Sequence, residues 1–583
     1  MANGMGSLMV GATGLRSSQT ALNTTAHNLS NVNTEGYTRQ QITFADSTYA
    51  NVFSKSLNKG KYGLGVDIDA ISRIRNEFID RSYRTESSRL GFYESQANAV
   101  YEVEDWFGEM QGVTYQEHIT NLYNAVNELT KNPTSTIARS SLIQNATAFI
   151  DRSEAIYSGL KDYQVTLNTE VNNMVEKINS LGQKIYNLNK GIVKVEAEGV
   201  ERANDLRDSR DLALDELSKY IDIDYYETKD GEVIVSAENV PFITKNDIAK
   251  MSVREEGTYG LLIPQWEGYQ QDVYNFDKQA NNANDTDKGK LKGLLIARGV
   301  IEVNYTDIPV MPERADYDLT TEQGMAEYNS AMDAYQQKQD YYNKYIEPSA
   351  ILSAIAGFDK LVNGIVTAMN DVLCPETTMN TTKELTDADG NILKADKYVY
   401  NASTHDVLYD SHGNAVAGKE NGDGTYSYEA SEKLYVDANQ EETENIDSMT
   451  YKILDMSKAG YGMDDDETRG VELFKRNGTD RYKQITGADG STIYVRNNLN
   501  VTGFETDYTL GNLIVNPKAS QNVGTLPLST EHGKEDFSKV NELIDTFSKK
   551  FASLNPENYA KADFNTFYND YICLLYTSPS PRD

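Results

Sequence analysis

Cysteine is nearly absent from this chain of 583 residues. Only Cys374 and Cys573 occur, so there is no disulfide framework and no CxxC metal or redox unit, and stability must come from packing. Basic residues are also scarce, with 55 Lys and Arg against 88 Asp and Glu for a formal charge of −33. No basic run offsets that excess, which argues against nucleic acid, whose phosphates need clustered Lys and Arg, and against anionic membrane surfaces. Long apolar runs are missing as well. No stretch approaches the ~18 apolar residues of a membrane span. The opening MANGMGSLMVGATGLRSSQ has its first basic residue at Arg16 and no continuous apolar core, so it does not read as a cleaved secretory signal. The hydrophobic fraction of 39% lies below the usual ~45–50%. Together with the length, which exceeds what one core can fill, this predicts at least three domains and an elongated shape.

What is present begins with a leucine at every seventh position: Leu8, Leu15, Leu22 and Leu29, with Ala12 and Ala26 between them. This is a heptad seam. The other positions are small or polar, so the helix has one narrow apolar stripe and depends on a partner for stability. It is followed by Asn28, Asn31, Asn33, Gly36, Tyr37 and Arg39 within NLSNVNTEGYTRQ at 28–40, rich in side chains that end helices and build turns. Helices are expected from Asp80 to about Thr130 and from Ile137 to about Val200. In the second, Leu160, Leu167, Met174, Leu181, Leu188 and Val195 alternate with Val171, Ile178, Ile185 and Ile192 in the 4-3 spacing of a coiled coil. Strand-like alternation from Tyr220 to about Tyr274 predicts a small β-containing unit. A short helix is expected at Leu291–Arg298 and a long one from Glu322 to about Val372. From Pro375 to about Asn500 turn pairs such as Asp389-Gly390, His412-Gly413 and Asp423-Gly424 separate Tyr- and Val-bearing runs, predicting β-hairpins. Helix resumes from Phe537 to Phe551.

Motifs for catalysis are not found. The histidines are His27, His118, His405, His412 and His532, with no HExxH pair, and no GxSxG, P-loop or dinucleotide fingerprint occurs. His405 and His412, with Asp406 and Asp410 between them, could hold a metal, but such residues are more often solvated loop positions. Asp387-Ala-Asp-Gly-Asn391 lacks the EF-hand spacing and reads as a hairpin turn. No catalytic, cofactor-binding or metal-binding residue is assigned. The 39 tyrosines leave open an adhesive surface for glycans or host protein on the 375–504 segment, which would show exposed aromatic clusters. The structural alternative spreads tyrosines along helices, as at Tyr335, Tyr341, Tyr342 and Tyr345.

Two patterns carry a family resemblance. The run at 28–40 resembles the signature after the first helix of flagellar rod, hook and hook-associated proteins. ANDLRDSRDLALDELSKYIDI at 203–223 is similar to a stretch typical of the hook-associated protein 1 family, supported by LTKNPTS at 129–135 with Arg139, GKLKGLL at 289–295 and TLGNLIVNP at 509–517. The resemblance covers residues 1 to about 300 and 505 to about 570. It implies a junction subunit between hook and filament, and the alternative within the class is a hook or rod protein. Implied partners are the hook protein, a second hook-associated junction protein, further copies in a homo-oligomeric ring, the flagellar export apparatus and an export chaperone. The implied location is extracellular, on the flagellum, with no nucleic acid partner and no membrane insertion. Family members end in a long amphipathic helix paired with the N-terminal one. Here CLLYTSPSPRD at 573–583 resembles readthrough of a sequencing adapter and is read as a non-native tail, at the place where a chaperone site is expected.

The expected architecture is α+β and multidomain, with long coiled-coil-like helical base domains and inserted β-rich outer domains. Its parts are an N-terminal axial helix and signature loop (1–40), a helical rod (41–219), a small β-containing domain (220–290), a helical segment with a Tyr-rich insertion (291–374), a β-rich outer domain (375–504), a return to the rod (505–572) and the tail (573–583).

Overall fold

The computed structural model describes residues 2–52, 60–107, 114–197, 202–257, 260–276, 280, 282–436, 443, 446–487, 490–497, 507–553 and 560–577. Eleven α-helices run through these residues: α1 (Ala2–Ser30), α2 (Glu77–Phe107), α3 (Tyr115–Leu129), α4 (Thr136–Glu196), α5 (Asn204–Tyr220), α6 (Lys290–Arg298), α7 (Glu322–Tyr345), α8 (Ala350–Leu373), α9 (Pro517–Gln521), α10 (Phe537–Ser548) and α11 (Phe564–Thr577).

The frame is α4, a helix of 61 residues and therefore ~90 Å long at ~1.5 Å per residue. Ser135 caps it by accepting from the Ala138 N–H at 3.3 Å, satisfying one of the orphan donors of the first turn. Different elements cover it along its length: α3 and the turn at Val523–Thr525 near its start, α6 and α8 in the middle, α5 and the small sheets further on. The buried stripe of α4 therefore serves a succession of partners. Leu160, Leu167, Met174 and Leu181 are buried, whereas Leu188 is half-buried and Val195 is exposed, where the stripe runs past its cover.

Helix α8 is the centre of the core. Ile351, Ile355, Phe358, Leu361, Ile365 and Met369 have no exposed surface, each worth about 1.5–3 kcal/mol of burial. Contrary to the sequence reading that no stretch approaches a membrane span, Ala350–Leu373 is, among the described residues, one helix long and apolar enough to cross a membrane, and here it lies inside protein. Its Phe358 meets Phe107 of α2 and Tyr115 of α3 edge-on, at 5.1 and 4.9 Å between ring centres, a favoured aromatic geometry.

Three expectations are corrected. The helix expected from Glu322 to Val372 is two helices, because Pro348 lacks an N–H and disfavours helix at the residue before it. Ser349 then caps α8 by accepting from Leu352 N–H. Residues 41–73, placed in the helical rod, instead hold antiparallel strands at Gln40–Asp46 with Val66–Arg73 and at Tyr49–Val52 with Gly60–Gly63. The helix expected from Asp80 to Thr130 is α2 and α3, with 108–113 outside the described residues.

After α5 come two three-stranded antiparallel sheets, Ile223–Glu227, Val233–Ala237 and Val240–Ile243, then Met251–Glu256, Leu261–Trp266 and Gln271–Asp272. Beyond α8 the chain enters a seven-stranded antiparallel sheet. Lys419–Glu420, Tyr426–Ala430, Lys397–Ala402, Ser448–Leu454, Thr492–Arg496 and Tyr482–Thr486 lie side by side, with Glu376–Thr381 also on Ser448–Leu454. This insert has a hydrophobic cluster of its own, built on Tyr398, Tyr400, Tyr428, Tyr451, Leu434 and Met449. Its tyrosines turn inward and satisfy their hydroxyls on backbone: Tyr428 donates to Asp406 C=O, while Tyr400 and Tyr451 accept from the N–H groups of Leu434 and Leu385. These rings are core, not an exposed platform. On α7, Tyr335 and Tyr342 are buried and Tyr341 is exposed. In the tail, α11 runs to Thr577 and 578–583 lie outside the described residues.

Candidate assembly interface

Helix α1 packs on the strands Gln40–Asp46 and Val66–Arg73, and it does so with small polar side chains. Thr13 and Ser17 donate to the carbonyls of Leu64 and Val66, each at 3.3 Å. The leucines take no part. Leu8, Leu15, Leu22 and Leu29 are 70–75% exposed, and their seven-residue spacing drifts by only ~20° per repeat, so they form one solvent-facing stripe.

The signature loop is a latch at the end of that helix. Asn28 uses its side-chain amide like a strand neighbour: Nδ2 donates to Gln40 C=O and Oδ1 accepts from Gln40 N–H, both at 2.9 Å. The Tyr37 hydroxyl donates to the same Oδ1 at 2.7 Å and lies 3.0 Å from His27 Nδ1. Burial, with the carboxylates of Asp208 and Asp205, pushes the Tyr37 phenol up from its ordinary value, so it remains a donor. Asn31 donates to His27 C=O at 3.0 Å. Asn33 is an exposed turn residue and Arg39 an exposed one whose carbonyl accepts from Ile74 N–H. Gly36 has φ +77°, and a Cβ there would meet the Leu212 side chain at 3.1 Å, so conformation and space both require glycine.

Leu212 belongs to α5, the helix of the second signature, and α5 is the part that the latch is fastened to. Asp208, Asp211 and Asp215, spaced three and four apart, share one helical face. Arg73 reaches Asp208 at 2.8 Å and Asp211 at 2.7 Å, Arg75 reaches Asp211 at 3.3 Å, and Arg84 of α2 reaches Asp215 at 2.6 Å. Thr38 N–H donates to Asp208 at 3.2 Å and Asn204 to Ile71 C=O at 2.9 Å. Burial raises Asp211, but Arg75, Arg73 and Arg84 outweigh it and hold the carboxyl below its usual range. A neighbouring face presents Arg207, bidentate on Glu196 at 2.8 Å and 2.7 Å from Glu227, and Arg210, 2.7 Å from Glu227 and donating to Gly231 C=O at 2.6 Å. The Arg207 hydrogen bonds hold Glu196 at about 2. The apolar face of Ala213, Leu214 and Leu217 is buried. One short helix thus joins the α1 hairpin, α2, the end of α4 and the first small sheet.

The other quoted runs also make joints. Arg139 is fully buried without a carboxylate partner among its hydrogen bonds: it donates to the carbonyls of Pro133 and Leu526 at 2.8 and 2.9 Å and to Ser529 Oγ at 2.7 Å, stitching α4 to the returning chain. Gly293 lets α6 approach α2, since a Cβ would fall 2.4 Å from Phe92 C=O.

Of the sequence-derived residues, the structure brings Gly36 and Tyr37 beside α5, with Asn28 bonded to Tyr37 and Gln40. It leaves the α1 leucines in solvent and places the Leu160–Leu188 seam elsewhere, along α4. The roles of Arg73, Arg75, Asp208, Asp211 and Asp215 were not read from sequence, although acids at three-four spacing after an Arg-x-Arg were a usable signal. Of the residues weighed as a metal site, Asp410 and His412 lie at a hairpin turn with Glu432, their ligand atoms within 4.8 Å of one another, and His405 and Asp406 are not in that group. His405 stacks on Tyr426 at 4.5 Å. Asp410 Oδ1 accepts from the N–H groups of His412 and Asn414, and Glu432 from Ser411. Asp387 caps its hairpin in the same manner.

The model of the flagellar hook-associated protein FlgK helical domain matches residues 100–331, and that of the flagella basal body rod protein matches residues 8–38. Flagellar hook-associated protein 1 of Bacillus subtilis (strain 168) is 30% identical over 310 residues, 51% of this chain and 61% of that protein. Its namesake from Salmonella typhimurium is 25% identical over 213 residues, 36% of this chain and 37% of its own length. The matched segments thus span 61% or less of these relatives' lengths. A solved structure of the flagellar hook junction protein FlgK from Burkholderia pseudomallei covers 86% of this chain and 96% of its own, at 11% identity and a TM-score of 0.43. The chain is thus similar to flagellar rod-type proteins over residues 8–38 and to the flagellar hook-associated protein FlgK helical domain over residues 100–331.

Proposed function

We propose that this chain is a structural subunit of the bacterial flagellum that joins hook to filament, and that it assembles by burying the α1 leucine stripe against helices of its axial neighbours. The observation that carries the reading is the stripe itself. Four leucines at 70–75% exposure stand on a helix held to its own chain by hydroxyls and an asparagine. Burying them in an assembly is worth about 1.5–3 kcal/mol each, while leaving them in water as a monomer gains nothing.

On this reading residues 1–40 are the assembly segment, α2–α6, α8 and 505–572 form the rod, and 375–504 point outward. The hook protein lies on one side and a second hook-associated junction protein on the other, with further copies of this chain completing a ring. A helix held this lightly to its own chain can pass unfolded through the flagellar export apparatus and fold on arrival, escorted by an export chaperone. The part is one of assembly, with no catalytic residue assigned. A hook or rod protein shares the 8–38 segment, whereas the match over 100–331 favours the hook-associated class.

Immunogold labelling of intact flagella tests this reading with an antibody to the 375–504 segment. Label confined to the distal end of the hook is expected. Label along the whole hook would favour the alternative, and label absent from flagella would refute both.

A further inference from the structure

Between the helical base and the β-rich insert the same strands run out of one hydrophobic cluster into another. On Ser448–Leu454, Leu454 belongs to the base cluster and Tyr451 and Met449 to the insert cluster, and on Tyr482–Thr486, Tyr482 and Ile485 divide likewise. The seam where the clusters meet is filled with charge. Arg481, 2% exposed, holds Asp371 at the end of α8 at 2.6 Å and Glu376 at 3.0 Å. Arg496 holds Glu376 and Asp507, each at 2.7 Å, and Arg476 holds Asp507 at 3.1 Å. Tyr508 joins the network from the returning chain, donating to buried Glu472 at 2.5 Å and accepting from Arg481 at 3.1 Å. The exit strand starting at Glu376, the return at Asp507 and two strands of the insert sheet all end on this one set of side chains.

We infer that this ionic seam is a rigid joint that fixes the angle of the outer domain on the rod, so that the insert stands as a stiff arm and not as a tethered bead. Apolar contact is non-directional and would let two clusters slide or rock on one another. Charge-assisted hydrogen bonds from forked guanidinium groups are directional. The arginines are buried and Glu376 is 22% exposed, while Asp371 and Asp507 are open at 56% and 46%, so the Glu376 pairs are the ones least screened by salt, and opening the joint would strand the arginine charges away from Glu376. The connection from α8 leaves no slack either: only Cys374 and Pro375 separate Leu373 from the first strand of the insert, and Pro375 C=O accepts from Asp455 N–H at 2.8 Å. The inference concerns the joint alone and does not depend on where the protein acts.

The test is a distance distribution across the joint in the full chain. Spin labels at Thr120→Cys on α3 and Lys394→Cys in the insert, with Cys573→Ser and with Cys374 left in place because it is buried, should give one narrow distance in the parent. Glu376→Gln, which weakens the hold of Arg481 and Arg496 while keeping the shape of the side chain, should widen the distribution at least twofold with the far-ultraviolet circular dichroism unchanged. A variant as narrow as the parent, or a parent already broad, overturns the joint. If Glu376→Gln does not fold, hydrogen exchange in the unaltered chain decides: backbone amides of Glu376–Thr381 and Thr492–Arg496 should be as protected as those of α8. Exchange more than tenfold faster at the seam than in both clusters overturns the inference.

Discussion

Helices α1 and α8 carry apolar residues at helical spacing in much the same way, yet one is coated in water and the other lies inside the core. Leu15 is 73% exposed and Leu361 is 0%. The difference lies in what surrounds the stripe. Helix α8 is apolar on most of its circumference and is enclosed by α2, α4, α6, α10 and α11. Helix α1 has one stripe of leucine, and its opposite side of Thr and Ser is spent on the hairpin. Apolar periodicity thus specifies a helix with a face to bury, while the composition of the remaining faces decides whether the chain buries that face itself.

The largest way to sharpen this contrast is truncation at the same chemical scale. Phe358→Ala in α8 should cost about 3–5 kcal/mol in urea unfolding, as a large cavity in a tight core does, whereas Leu15→Ala on α1 should change stability by less than ~0.5 kcal/mol. Next, Asp211→Asn weakens the clasp of Arg73, Arg75 and Arg84 on α5 and should cost about 2 kcal/mol, with faster hydrogen exchange in Val66–Arg73 and no change in α8. Gly36→Ala, which forces a Cβ toward Leu212 at positive φ, should cost about 1 kcal/mol and loosen the latch selectively. The smallest effect is on acid stability. Glu196 is held at about 2 by Arg207 against an ordinary value of 4.5. Its contribution is therefore fully present above the unfolded value and is lost as pH falls from about 5 toward 2. Glu196→Gln should lower the melting temperature at pH 7 and flatten its fall between pH 5 and 3, and an unchanged slope would remove Glu196 from the account.

Much of the fold was legible where local chemistry decides it. Four leucines at heptad spacing announce α1, the 4-3 apolar spacing from Leu160 announces α4, and Asp-Gly pairs mark the hairpins of the insert. Tertiary context hid the rest. Strands Gln40–Asp46 and Val66–Arg73 have no fully buried residue, so they lack the clean alternation that a buried face imposes. The break at Pro348 was there to be read, but the apolar spacing after it masked the end of α7. In the candidate site, the turn chemistry of 28–40 was legible. The role of α5 was not, because the meaning of its three aspartates lies in arginines more than 120 residues earlier in the chain.

The insert illustrates the same point in reverse. A tyrosine-rich β segment suggests an exposed aromatic surface, but Tyr398, Tyr400, Tyr428 and Tyr451 are 1–5% exposed because backbone partners satisfy their hydroxyls inside the sheet domain.

The central claim is that the α1 stripe is kept for other molecules, and one paired measurement on Leu15→Ser/Leu22→Ser tests it most directly: the urea midpoint of the purified chain, and filament length in cells whose only copy is this variant. The account predicts a midpoint unchanged within the equivalent of ~0.5 kcal/mol and bare hooks without filaments. Filaments of normal length would contradict it.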